Sequence, residues 1–186
     1  MKYKNVPNDK NLYIQVFPVD IYQNDVHSIN NHEIHRRINE GNNLSGYIKD
    51  YREEAVSKAL QDNHRDAYYE FATYGGYKPD FITDMFVGRR QVILEPHVYF
   101  GNDYVRKLKK FCNEYTNFSL IFIMPDKTYK SLDENLINEI KQFSTIWVID
   151  KFLNNKEQMK HSENAISRKI RKLIDKNKSY EMYERF

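Results

Sequence analysis

The stretch 77-YKPDFITDMFVGRRQVILEPH-97 decides the fold, because it reads as a strand, a turn and a strand. Gly88 and Arg89 form the turn, so that Val87 faces Arg90. Counting back along both strands sets Asp80 opposite His97 and Ile82 opposite Glu95. Side chains alternate between the faces of a strand, which groups Asp80 with Ile82 and Asp84, and Glu95 with Ile93, His97 and Tyr99. Directly opposed residues point the same way, so Asp80, Glu95 and His97 share one face within contact or diagonal distance. A four-residue loop at the same place keeps this register; an odd loop breaks it.

Acids in a half-buried hairpin need a reason, since an ion without a partner is costly to bury. Two carboxylates and an imidazole on one face suit a divalent metal, with the carboxylate oxygens favouring a hard cation such as Mg²⁺. A metal there lowers the pKa of a bound water and stabilises charge developing on a phosphate. The structural alternative is a hydrogen-bonded Asp80–His97 ion pair at a strand end, with Glu95 turned to solvent.

Outward from the hairpin, Leu44, Ile48, Val56 and Leu60 recur near helical spacing from Asn43 to about Gln61, behind the capping types Asn42, Asn43 and Ser45. DAYYEFATY (66–74) reads as a strand and Gly75-Gly76 as a turn. Residues 101–115 form an amphipathic helix with Tyr104, Val105, Leu108, Phe111 and Cys112 inward. FSLIFIMPD (118–126) is an apolar run ended at Pro125, the pattern of a strand buried on both faces. A helix at 131–143, a strand at 145–149 and a basic helix at 161–178 follow. Upstream, 11–20 reads as a strand and 28–41 as a short helix stopped at Gly41. A hairpin followed by strand, helix and buried strand combines antiparallel pairing with a parallel crossover. The expected fold is α/β, a mixed central sheet flanked by helices. It forms a single domain over 1–186, with an extension at 1–42, a core at 43–150 and a basic helical segment at 151–186.

Of the 186 residues, 40% are apolar and 30% charged, with 15 Tyr and 11 Phe, so burial can offset ordering entropy. The single Cys112 rules out an intramolecular disulfide or a cysteine zinc cluster and suggests a reducing compartment, which we take as the cytoplasm. The first residues are polar, unlike a signal peptide, and no run approaches the roughly 18 apolar residues of a membrane span. Net charge is +3, and it concentrates in residues 151–186. There Arg168, Lys169, Arg171, Lys172 and Lys176 surround Ile166, Ile170, Leu173 and Ile174. The apolar residues belong in the core; the cations are either a solvated helix face or a clamp on a nucleic-acid backbone. Arg89 and Arg90 at the hairpin tip are either a polar turn or phosphate contacts beside the site. His27, His32 and His35 lack a fourth zinc ligand and read as surface residues. Cys112 reads as packing.

Pro79-Asp80-Phe81 opening one strand, and Glu95-Pro96-His97 in the next, resemble the PD-(D/E)xK nuclease superfamily. That family's core of helix, three strands, helix and strand corresponds to residues 43–125. The resemblance implies a restriction-endonuclease-like fold and a metal-dependent endonuclease acting on nucleic acid, DNA above RNA. Mg²⁺, or Mn²⁺ in its place, would be held by Glu53, Asp80 and Glu95. Glu53 in YREEAVSKAL takes the place of the family's helix glutamate, with Glu54 the adjacent alternative. The resemblance also makes a homodimer possible, since small nucleases often cut two strands with two copies. His97 replaces the family's lysine, and an imidazole can act as base, ligand or cation. Lys107 and Lys109 are candidates for a relocated lysine; otherwise the site is dead. The competing expectation is an inactive nuclease-like module that binds nucleic acid or a protein.

Overall fold

The computed structural model describes residues 51–70, 74–150 and 156–183, and the side chains of 159–177 within the last segment. The strand expected at 11–20, the helix at 28–41, the first turns of the helix at 43–61, and His27, His32 and His35 lie outside the described residues. The described elements are α1 (Tyr51–Asp62), β1 (Ala67–Tyr69), β2 (Phe81–Val87), β3 (Arg90–Pro96), α2 (Asn102–Glu114), β4 (Phe118–Pro125), α3 (Asp126–Ser131), α4 (Glu134–Phe143), β5 (Ser144–Ile149) and α5 (Lys156–Tyr183).

The strands form one mixed sheet in the order β1-β2-β3-β4-β5. β2 is antiparallel to β1 and β3, whereas β3, β4 and β5 run parallel. Strand alternation divides the core in two. Phe81, Val92, Leu94, Ile121, Ile123 and Trp147 face one way and pack with Val56 and Leu60 of α1 and Ile166 and Ile170 of α5. Ile82, Ile93, Leu120, Phe122 and Met124 face the other, against Val105, Leu108 and Phe111 of α2 and Ile140 of α4. All eight residues of β4 except Ser119 are buried, as a strand covered on both faces requires. Within α2, Val105, Leu108 and Phe111 are buried, while Tyr104 and Cys112 are only partly so.

The hairpin turn falls where expected, with Val87 paired to Arg90. Gly88 takes φ +60° at the first central position, where a type II′ turn favours glycine. The rest of the expected register is overturned: Ile82 pairs with Ile93 and Phe81 with Leu94, after an irregularity between Ile82 and Phe86. Four residues of β2 there span only two of β3. The Thr83 hydroxyl donates to Val92 O at 2.9 Å and accepts from Met85 N at 3.2 Å, and Gln91 Nε2 donates to Thr83 O at 2.8 Å. Buried side chains thus replace the ladder bonds that the bulge interrupts. A two-residue slip preserves facing, so Ile82 and Ile93 still point to the same core.

Two other elements differ from expectation. Of the strand expected at 66–74, Ala67–Tyr69 is strand and Glu70 turns at φ +45°, while 71–73 lie outside the described residues. The helix expected at 131–143 starts only at Glu134, as α4, since the Asp133 carboxylate accepts from Asn135 N at 2.8 Å and caps it, and the short α3 before it was not expected.

Candidate functional site

Glu95 lies at the carboxyl end of β3 and is only 4% exposed. Its Oε1 accepts from the Tyr104 hydroxyl at 2.7 Å; its Oε2 accepts from the Tyr77 hydroxyl at 2.6 Å and from Asp80 N at 3.2 Å. The slipped register accounts for the last bond, since continuing from Phe81–Leu94 sets Asp80 against Glu95. Tyr77 arrives from the turn in which Gly75 and Gly76 adopt φ +55° and +86°, and Tyr104 from the first turn of α2. Burial raises the pKa of Glu95, the two tyrosines and the Asp80 amide oppose the rise, and the charge of Glu53 adds to it. Burial, then the Glu95 charge, raises both Tyr77 and Tyr104 far above the ordinary phenol range, so both stay protonated donors.

Asp80, half-buried at the entrance to β2, contributes charge felt by Tyr69, Tyr77 and Tyr104. Glu53, in the first turn of α1, accepts from the Tyr69 hydroxyl at 2.5 Å. Glu54 instead pairs with Lys58 one turn on, at 3.1 Å, so Glu53 is the helix acid turned toward the sheet. The charges of Asp80, Glu95 and Glu53 are thus felt by shared neighbours on β1, in the turn before β2 and on α2.

His97 does not stand opposite Asp80. It lies two residues beyond Asp80's partner, and its ring stacks on Tyr104 with centroids 4.2 Å apart and meets Phe100 edge-on at 5.3 Å. Glu95 is not turned to solvent, so that part of the structural alternative fails. Lys109 forms an ion pair with Glu139 of α4 at 3.1 Å, and Lys107 is exposed on α2. A lysine that does border the site is Lys78, directly before Pro79-Asp80, which pairs with Glu70 at 2.7 Å; Glu70 N in turn donates to Asp80 O at 2.9 Å. Sequence reasoning missed Tyr69, Tyr77, Tyr104, Glu70 and Lys78. Only Tyr77 and Lys78 carried a local signal, adjoining Pro79-Asp80; the others reach the site through tertiary packing.

Arg89 and Arg90 are exposed at the hairpin tip, and Glu95 lies five residue steps along β3 from Arg90. At about 3.3 Å per residue this is roughly 17 Å, so the arginines are not beside the carboxylates. On α5, Arg168, Arg171 and Lys172 are exposed and Lys169 half-buried, while Ile166 and Ile170 are fully buried as expected. The cations nearest the sheet, Arg168, Lys169 and Lys172, border a cleft at the carboxyl end of β5.

Three carboxylates are the right donor chemistry for a hard divalent ion. Glu95 accepts from two tyrosine hydroxyls and the Asp80 amide, and Glu53 accepts from the Tyr69 hydroxyl. Among the described residues, however, no three His, Cys, Asp or Glu side chains are drawn together into a ready metal-binding group. The donor set fits such an ion in chemistry. Among the described residues no helix is long and apolar enough to cross a membrane. No family model, curated protein or solved structure matches this chain.

Proposed function

We propose that this protein is a metal-dependent endonuclease that hydrolyses phosphodiester bonds of DNA in the cytoplasm, on a restriction-endonuclease-like core. The observation that carries the reading is the contact of Asp80 N with Glu95 Oε2 at 3.2 Å, with Glu53 within electrostatic reach. The order α1, β1, β2, β3, α2, β4 supports it, being the helix, three strands, helix and strand of the PD-(D/E)xK core. Glu53, Asp80 and Glu95 are the residues that would hold Mg²⁺, or Mn²⁺ in its place. Bound there, the ion would supply an acidified water and charge stabilisation at the phosphate. The chain's own residues set the surroundings. Tyr77 and Tyr104 orient the Glu95 carboxylate, and the stack on Tyr104 holds His97 beside it, where its imidazole can take a proton from water near neutral pH. Lys78, held by Glu70, places a cation at the same edge.

The test is cleavage of supercoiled plasmid and single-stranded DNA in Mg²⁺, Mn²⁺ or EDTA, with Asp80→Asn beside the parent. Metal-dependent cutting lost in the variant is expected; equal cutting by both proteins removes Asp80 from the chemistry.

A second reading has its own observation. Both oxygens of Glu95 are engaged by tyrosine hydroxyls and histidine stands in place of the lysine, as suits an inactive nuclease-like module that binds nucleic acid or a protein. It predicts no measurable divalent-ion affinity and full partner binding by Asp80→Asn.

A further inference from the structure

At the carboxyl end of β5, the sheet and α5 enclose a cleft of about 270 Å³. α5 contributes His161, Arg168, Lys169 and Lys172, and β5 and its end contribute Ile149 and Asp150. His161, Arg168 and Lys172 recur at intervals of seven and four residues, which places them on one stripe of the helix. The opposite side of α5 is pinned: Ile166 and Ile170 are fully buried against the sheet, and Asn63 after α1 donates to Ser167 Oγ at 2.7 Å. The cationic stripe is therefore held in place by the core.

Three cations converge on one carboxylate in this cleft, leaving two positive charges with His161 neutral. The crowding has a cost that the fold carries. Burial, then the neighbouring Lys172, lowers the pKa of Lys169, and Asp150 only partly offsets this. The same Asp150 acts on Lys130 at the end of α3, so its negative charge is shared. An anion carrying one or two charges would relieve the crowding, and the fork of Arg168 suits a phosphate's paired oxygens.

We propose that this cleft is a phosphate-binding subsite for a nucleic-acid strand. The phosphate chemistry follows from the cleft itself, whereas the polymer rests on the nucleic-acid reading above. Position supports a strand rather than a lone ion. β3, β4 and β5 are parallel, so the cleft opens toward the same carboxyl edge as Glu95, two strand spacings or about 10 Å across the sheet and, since Glu95 is level with Ile146, about 10 Å further along the strand direction at Ile149. Ligands of open α/β sheets bind along that edge. A strand crossing it would meet the carboxylates at one point and the cationic stripe at another. Asp150 would weaken the hold by repelling the phosphate.

The experiment measures fluorescence anisotropy of a labelled single-stranded oligonucleotide in EDTA at several salt concentrations. It compares the parent, Arg168→Gln/Lys172→Gln and Asp150→Asn, each checked for folding by circular dichroism. The double variant should bind at least about tenfold more weakly, and its salt slope should fall by roughly 1.4, at about 0.7 per phosphate contact. Asp150→Asn should bind a few-fold more tightly. Two forms of the oligonucleotide distinguish the source of the phosphate: equal binding with a 5′-phosphate or a 5′-hydroxyl assigns a backbone diester, and a 5′-phosphate preference lost in the double variant assigns a terminal monoester. Unchanged affinity and slope in the double variant, weaker binding by Asp150→Asn, or no binding by the parent overturns the proposal. Because no metal is present, binding is read apart from cleavage: oligonucleotide binding by a parent that fails to cut plasmid in Mg²⁺ or Mn²⁺ would sink the endonuclease reading and leave the subsite standing.

Discussion

Tyr104 donates its hydroxyl proton to Glu95 across 2.7 Å, joining the first turn of α2 to the carboxyl end of β3. Tyr104→Phe leaves one oxygen of a nearly inaccessible carboxylate without that donor, at a cost of about 1–3 kcal/mol. The folded-state pKa of Glu95 already lies above its ordinary value, so its contribution to stability declines as pH rises through that pKa. Removing a hydrogen bond that lowers this pKa moves it higher, and the variant's deficit should be larger at pH 8 than at pH 5. Urea denaturation at the two pH values measures this; equal stability of variant and parent at both would show that the bond has no role.

Thr83 holds the bulge of β2 through its bonds to Val92 O and Met85 N. Thr83→Val keeps the shape and removes both, leaving a buried carbonyl and a buried amide short of a partner. A loss of about 1–3 kcal/mol is expected, with most of it restored in Thr83→Ser. If valine proves as stable as threonine in denaturant titrations, the bulge is held by something else.

Asp84, mostly buried beside Asp66, has a pKa pushed up to about 6 by desolvation, against the pull of Arg65 at 3.7 Å. Its Oδ1 has no hydrogen-bond partner. Unfolded, it titrates near pH 3.9, so the folded state binds more protons between about pH 4 and 6, and its stability contribution falls as pH rises through that window. Stability of the parent relative to Asp84→Asn should drop by on the order of 2 kcal/mol from pH 4 to pH 7. Thermal or urea unfolding across that range tests the sign, and a difference that rises with pH would contradict it.

Cys112 is a free thiol, and burial pushes its pKa up to about 12. At neutral pH almost none of it is the reactive thiolate. Iodoacetamide should label it slowly in the native protein and rapidly in urea, as followed by mass spectrometry; fast native labelling would place the thiol at the surface.

Much of the fold was legible because its signals are local. The glycine turn, the alternation in β2 and β3, the apolar run of β4 and the helical spacing of α2 each depend on residues close in the chain. Failures arose where side chains altered the backbone path. Glu70 follows β1 in a left-handed turn, and Asp133 starts α4 by capping. Neither residue type forces that outcome alone.

The candidate site divides the same way. The acids Glu53, Asp80 and Glu95 could be named because motif order and strand parity depend only on counting, and a slip of two residues leaves parity intact. Their partners could not be named. Tertiary structure alone decided that the Asp80 amide meets Glu95, because Thr83 and Gln91 stabilise a bulge that no pairing rule counts. It also decided that Tyr77 and Tyr104, brought in from the turn before β2 and from α2, satisfy a buried carboxylate. Sequence determined the elements and the residue types available at one edge of the sheet. Packing decided which of them touch, because a buried charge takes its hydrogen bonds from whatever the fold brings within 3 Å, however distant in the chain.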